Sequence, residues 1–265
     1  MAVQFCSLSS GSSGNSMYIG SEHTRVLLDA GLSGKAVEQR LAAVEAGGEQ
    51  LDALFVTHEH IDHIKGVGIL SRRYDLPVYA TPGTWAAMEE SLGPIRERNR
   101  RYVYPGEPCA INDLCFTPFA LPHDAAEPVG YVCETGRRKL CVATDLGHVT
   151  DAVRDAVADC DLLLLEANHD VQMLMQGPYP YPLKQRILGE NGHICNEVCG
   201  QTLVEALCGR LKYVFLGHLS AENNDPHLAF GTVAEILRQA GVEPGRGLEL
   251  DMASRYSPSR KIVLE

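Results

Sequence analysis

Residues 57 to 63 read Thr57-His58-Glu59-His60-Ile61-Asp62-His63, and this heptad constrains the chain more than any other feature. Three imidazoles and a carboxylate stand within six residues, a set of polar groups that is costly to bury without partners. An apolar run, Leu51 to Val56, precedes it and reads as a buried strand; Ile64 to Tyr74 reads as a helix. The heptad is therefore expected on a loop at a strand's C-terminal end. Positions 58, 60 and 62 turn with the chain as it leaves the strand, so neighbouring side chains can reach two metal ions rather than one.

Four positions alone cannot complete two coordination shells, so further ligands are expected at the ends of later strands. His123 follows the strand Leu114–Leu121, Asp145 ends Leu140–Thr144, and His218 ends Tyr213–Gly217. Site residues commonly stand where a rigid strand gives way to a loop. Nitrogen and oxygen donors without a thiol suit zinc, manganese or iron. Two such divalent ions can acidify a shared water and clamp charge in a hydrolytic transition state, with a bridging hydroxide as nucleophile.

The order of elements indicates the architecture. Short apolar runs at Val3–Phe5, Met17–Ile19 and Val26–Asp29 read as a meander, joined by the loop Ser9-Ser10-Gly11-Ser12-Ser13-Gly14-Asn15-Ser16. Helical spacing follows over 34–46. Strands are expected at Val78–Ala80, Arg101–Val103, Leu114–Ala120, Val129–Glu134 and Leu140–Thr144, with a helix at Thr84–Ser91. Helices near 150–158, over Glu197–Cys208 and at Leu228–Ala240 then alternate with strands at Asp161–Glu166, Tyr213–Leu216, 247–252 and 260–264. Antiparallel runs giving way to α/β alternation, twice over, fit an α/β, four-layer αββα sandwich, read as one domain over residues 1–265.

The formal charge of −11 argues against a surface built throughout for nucleic acid. The densest basic segment is Arg96, Arg98, Arg100 and Arg101 beside Tyr102 and Tyr104; another is Arg137, Arg138 and Lys139. Both read as solvated faces. The nine cysteines are odd in number and irregular in spacing, and several sit in apolar strand-like runs, which favours reduced thiols. The start of the chain lacks a secretory pattern, and no apolar run reaches the ~18 residues of a membrane span. A cytoplasmic protein without a membrane partner is expected.

Taken together, the heptad and the later His, Asp and His resemble the metallo-β-lactamase superfamily, with its HxHxDH motif. The resemblance implies His58, His60 and His123 on one ion, Asp62, His63 and His218 on a second, and Asp145 bridging. No cysteine ends any of these strands, a departure from the thiol-containing site of many β-lactamases that argues against antibiotic hydrolysis.

The succession Glu166…Gly192-His193…Gly217-His218-Leu219-Ser220 resembles the ribonuclease Z group of phosphodiesterases. That likeness implies that Glu166 orients His193, which protonates the leaving oxygen, while Asp62 joins them as a catalytic residue. The loop Ser7–Ser16, the segments Leu28–Ser33, Ala167–Asp170 and Leu216–Asn224, the Gly192–Asn196 element and Arg255–Ser259 look specifically like the YycJ/WalJ branch. Relatives of that branch imply 5′-exonuclease action on DNA, in preference to RNA. Exposed backbone N–H groups and hydroxyls of the serine and glycine loop could cradle a phosphate, with Ser10, Ser12, Ser13, Asn15 and Asn196 as substrate contacts. Strand recognition would rest on the Arg96–Arg101 segment or on a partner. His169 could support a ligand's second ring nitrogen or be an ordinary exposed loop residue. Two other functions use the same ligand types: a glyoxalase II-like thioester or ester hydrolase, whose leaving thiolate needs no acid, and a metal-stabilised regulator that binds without turnover.

Overall fold

The computed structural model describes residues 2–207 and 209–265; Cys208, the expected end of the helix from Glu197, lies outside them. The strands fall into two mixed seven-stranded sheets flanked by helices, the α/β sandwich class expected. By its contacts the chain divides into two compact units.

The first unit comprises Met1–Pro118, Ala125–Arg138 and Ser254–Glu265. Its sheet begins with the antiparallel strands β1 (Val3–Ser9), β2 (Ser16–Gly20) and β3 (Arg25–Leu28). It continues in parallel through β4 (Ala53–Phe55), β5 (Val78–Ala80) and β6 (Arg100–Tyr102). Nearly every residue of β1 to β4 is buried, which explains why these strands read as apolar runs rather than as alternation. Helices α1 (Gly34–Ala43), α2 (Ile61–Ile64), α3 (Val67–Tyr74) and α4 (Pro82–Leu92) belong to this unit. Val37 and Leu41 of α1, Val67 and Leu70 of α3, and Trp85 and Met88 of α4 share one buried cluster with Leu54, Val56 and Val78. Thr81 caps α4 by accepting from Thr84 N, and Pro82 occupies its first turn. Phe55 stacks on Tyr79 and Phe116 at 4.6 and 4.5 Å, fixing the strand end from which the heptad leaves.

The second unit comprises Phe119–Asp124 and Lys139–Ala253. Its strands β10 (Arg138–Ala143), β11 (Leu162–Glu166), β12 (Tyr213–Gly217) and β13 (Glu249–Met252) run parallel, in register Leu140↔Leu162↔Tyr213↔Glu249. Helices α5 (Asp151–Val157), α6 (Val171–Gln176), α7 (Tyr181–Ile187), α8 (Asn196–Glu205) and α9 (Pro226–Gln239) accompany them. Parallel strands place all their C-terminal ends on one edge, the edge where ligands bind in open α/β sheets.

Three features depart from the sequence reading. The helix expected over Ile64–Tyr74 begins earlier and is broken at Gly66. Gly66 N donates to Ala30 O at 2.7 Å, and a Cβ at that position would lie 2.6 Å from Leu32 O, so backbone fills the space a side chain would need. The second half of the heptad thus occupies a helical turn of its own, α2. Helices α6 and α7 were not expected: each is too short to show periodicity, and Pro178, Pro180 and Pro182 interrupt the segment. The three-residue strand β7 (Cys109–Ile111) was also missed; it pairs with β8 (Leu114–Ala120) across a tight turn whose Asn112 has φ 51°. The first unit also contains β9 (Val129–Thr135) and β14 (Ile262–Leu264), the latter antiparallel to β1.

Candidate metal centre

In the first unit the heptad leaves β4 and is held by groups from two distant loops. His63 places Nδ1 2.8 Å from Asp29 Oδ2. Asp29 also accepts from Thr57 N and Thr57 Oγ1, each at 2.9 Å. One fully buried carboxylate therefore fixes the strand end and one face of His63, which orients Nε2 as the ligand atom. Thr57 Oγ1 lies 3.0 Å from His58 Nδ1 and does the same for that ring. His58 Nε2 and His60 Nδ1 then meet at 3.1 Å. Two nitrogens on a single tetrahedral ion, each ~2.0–2.1 Å from it, stand roughly 3.3 Å apart, so this pair is spaced as ligands of one cation.

The Asp62 turn is clamped by main chain. Asn15 N donates to Asp62 O at 2.8 Å, and a Cβ on Gly31 would lie 1.6 Å from the same oxygen, so only glycine fits there. Asn15 Nδ2 reaches both His63 Nε2, at 3.0 Å, and Asp62 Oδ2, at 3.4 Å. Asn15 Oδ1 accepts from Gly11 N at 2.9 Å, tying the serine and glycine loop to the heptad. Within that loop Ser10 and Asn15 are buried, whereas Ser12 and Ser13 are exposed.

In the second unit the groups come from separate strand ends. Asp145 follows β10 and His218 follows β12, with φ of 65° and 52°. Left-handed backbone is uncommon for such residues and marks positions that the surrounding structure over-determines. His218 Nε2 and Asp145 Oδ1 lie 3.3 Å apart. His123 Nε2 is 3.9 Å from the same oxygen, and its Nδ1 donates to Gly192 O at 3.2 Å, leaving Nε2 to bind. Burial holds His123 below the ordinary imidazole range, as suits a neutral ligand.

Glu166 ends β11 fully buried. Its Oε1 lies 2.8 Å from His218 Nδ1 and 2.9 Å from His193 Nδ1; Oε2 accepts from Leu146 N and Ile194 N, each at 3.2 Å. Burial alone would raise this carboxyl, but the charges and hydrogen bonds of His193 and His218 outweigh it and hold the group at about 2. The reciprocal effect reaches His193: burial lowers it, Glu166 overcomes that, and its pKa ends above the ordinary value. Asp145, Glu166, His193 and His218 each offer a ligand atom within 4.8 Å of the others.

Two sequence readings are revised. His169 is neither exposed nor a support for a ligand: it is 1% exposed, its ring nitrogens have no hydrogen-bond partner among the described residues, and burial pushes it down to about 4. Asn196 is buried and pairs its amide with that of Asn224, at 3.0 and 2.9 Å, in the packing of the segment after Glu166. One group went unread as a site residue: Asp29, which follows β3 as Asp145 follows β10; Asn168, beside His169, donates its Nδ2 to His218 O at 3.0 Å. An acidic residue at the end of an apolar strand was the available signal for Asp29.

A family profile described as "Beta-lactamase superfamily domain" matches residues 24–243. The "Exodeoxyribonuclease YycJ" of Bacillus anthracis is 38% identical over 260 residues, covering 98% of each chain. The chain belongs to the metallo-β-lactamase superfamily, in its YycJ/WalJ branch. "Exodeoxyribonuclease WalJ" of Streptococcus pneumoniae serotype 2 is 41% identical over 247 residues, 92% of each chain. The crystal structure of the metallo-β-lactamase fold protein YhfI from Bacillus subtilis superposes with a TM-score of 0.74 over the whole of both chains at 16% identity, a likeness of fold. The superfamily's fold implies divalent metal ions, and the donors present fit them: convergent imidazole nitrogens with their second nitrogens engaged, carboxylates, and no cysteine among the described clusters. Among the described residues no helix is long and apolar enough to cross a membrane.

Proposed function

We propose that the chain is a cytoplasmic metal-dependent phosphodiesterase that acts on DNA from a 5′ end, and that its two compact units are halves of one domain. In this reading His58, His60 and His123 hold one divalent ion, Asp62, His63 and His218 a second, and Asp145 serves both; zinc, manganese and iron suit the donors. Such ions supply an acidified water and positive charge against the phosphoryl oxygens. The exodeoxyribonuclease names of the two relatives, similar over almost the whole chain, support DNA as substrate.

The observation that carries the reading is the Glu166–His193 pair. His193 is 19% exposed, its Nδ1 is anchored on a buried carboxylate, and Glu166 raises its pKa against the effect of burial, which favours the protonated ring. An alkoxide leaving a phosphodiester needs that proton; a thiolate leaving a thioester does not. Asp62 shapes the ligand turn, and Ser12 and Ser13, exposed on their loop, offer hydroxyls to a phosphate.

Replacing His193 tests this directly. With metal-reconstituted protein, His193→Ala should lower hydrolysis of 5′-labelled DNA, whose leaving group is an alkoxide, by ~10²–10⁴ while the bound metal is unchanged. An undiminished rate, or efficient thioester turnover by both proteins, would favour the glyoxalase II-like reaction. No hydrolysis above an Asp62→Ala control would leave a binding protein.

A further inference from the structure

In the second unit a guanidinium is tied to the edge of the candidate metal centre. Arg186, in the last turn of α7, donates Nε to Asp124 Oδ2. The other oxygen of that carboxylate lies 3.4 Å from His123 Nε2, the candidate ligand nitrogen. The two contacts and the width of one carboxylate therefore put Arg186 Nε no more than roughly 8 Å from His123 Nε2. The Arg186 side chain is 61% exposed, and among the described residues neither of its Nη nitrogens has an acceptor.

The segment that carries it is closed and pinned. Residues 186–193 form a turn with Arg186 at one end and His193 at the other. His193 N donates to Ile187 O at 2.9 Å, and a Cβ on Gly192 would lie 2.1 Å from the same oxygen. Asp124 N donates to Asn191 O at 3.1 Å, and His148 Nδ1 donates to Glu190 O at 2.9 Å. The backbone at Arg186 is thus fixed relative to the candidate proton donor, and Asp124 orients the guanidinium.

Among the described residues, the other cations of this unit are spent or stand elsewhere. Lys184 gives its ammonium to Met175 O and Gly177 O, and Arg154 is paired with Asp151 and Glu205. Lys139, Arg210 and Lys212 stand at the opposite edge, where β10, β11 and β12 begin, as do the two cations that precede β13. In the first unit the basic segment expected to grip a strand is largely spent: Arg96 and Arg98 pair with Asp75, and Arg100 with Glu89. Asp124, Asp145, Glu166 and a formal charge of −11 all oppose an anionic substrate, so the cation beside His123 is the protein's own counterweight.

Resting on the phosphodiesterase reading above, we infer that Arg186 takes a second phosphate of the substrate, the one on the fragment that leaves with the proton of His193. The guanidinium and the proton donor end the same turn, so they serve the same side of the scissile bond. Its two Nη groups present the forked donors that suit phosphate oxygens. A nucleotide strand supplies such a phosphate next to the scissile one; a lone phosphodiester does not.

The test uses the metal-loaded full chain and the thymidine dinucleotides TpT, pTpT and TpTp, with products identified by mass spectrometry. The wild type should cleave one of the two phosphorylated forms with kcat/KM about 10-fold above that of TpT, the low end for a charge-assisted hydrogen bond because the side chain is 61% exposed. The favoured form is the one whose extra phosphate departs on the fragment released as the alcohol. Arg186→Gln should erase the advantage with metal content retained, and Arg186→Lys should keep part of it, since the charge remains without the fork. An advantage that survives Arg186→Gln overturns the inference. So does an equal gain from a phosphate at either end, or no gain, in a protein that cleaves TpT. Binding supplies a readout apart from turnover: the wild type should hold thymidine 3′,5′-bisphosphate about 10-fold more tightly than thymidine 5′-monophosphate, and Arg186→Gln should hold the two alike. If that pattern appears in a protein that hydrolyses no phosphodiester, the phosphate site stands and the enzymatic reading falls. A preference that is absent, or that survives the substitution, removes the phosphate site.

Discussion

In the His58–His63 turn the candidate ligands are neighbours in sequence and their orienting partners, Asp29 and Asn15, come from elsewhere in the chain. Around Asp145 and His218 the arrangement is reversed: the ligands come from separate strand ends, and one carboxylate, Glu166, orients two histidines at once. The first set divides its support among a carboxylate, a hydroxyl and an amide. In the second, a single residue links a candidate ligand to the candidate proton donor.

That contrast can be broken at its two carboxylates. Glu166→Gln should have the larger effect because it loosens His218 and removes the charge that raises His193. Metal affinity should fall ~10–100-fold, in the range for a lost orienting partner, and the rate should fall further because the acid is lost earlier. The sign follows from the shift. A proton donor works below its pKa, so the alkaline limb of the pH–rate profile lies above the ordinary imidazole value in the wild type and moves to lower pH in Glu166→Gln. An alkaline limb that stays in place would separate Glu166 from His193 and refute the shared support.

Asp29→Asn should cost less. It weakens the hold on His63 and Thr57 but leaves His193 untouched, so metal affinity falls within the same ~10–100-fold range while the alkaline limb does not move. A shifted limb in this variant would show that the two sets are not supported independently.

The same contrast explains what could be read from the residues alone. The heptad was legible because its chemistry is local: the ligand types and their spacing lie within seven residues. His123, Asp145 and His218 were legible because each follows an apolar strand-like run. What stayed hidden was conformational or relational. Nothing in residue type announces that Asp145 and His218 adopt left-handed backbone, that Glu166 faces two histidines, or that Asn196 spends its amide on Asn224. Gly66 shows the limit for secondary structure: the break between α2 and α3 comes from contact with Ala30 and Leu32, which no local periodicity encodes. Elements of three to seven residues, β7, α6 and α7, were too short to carry a pattern.

The central claim is that both sets of side chains serve one pair of ions. Metal content, measured on reconstituted wild type, His60→Ala and His218→Ala alongside phosphodiester hydrolysis, tests it most directly. The account predicts two equivalents of divalent metal per wild-type chain, and in each variant a loss of metal together with loss of hydrolysis. Full metal content with undiminished turnover in either variant would contradict it.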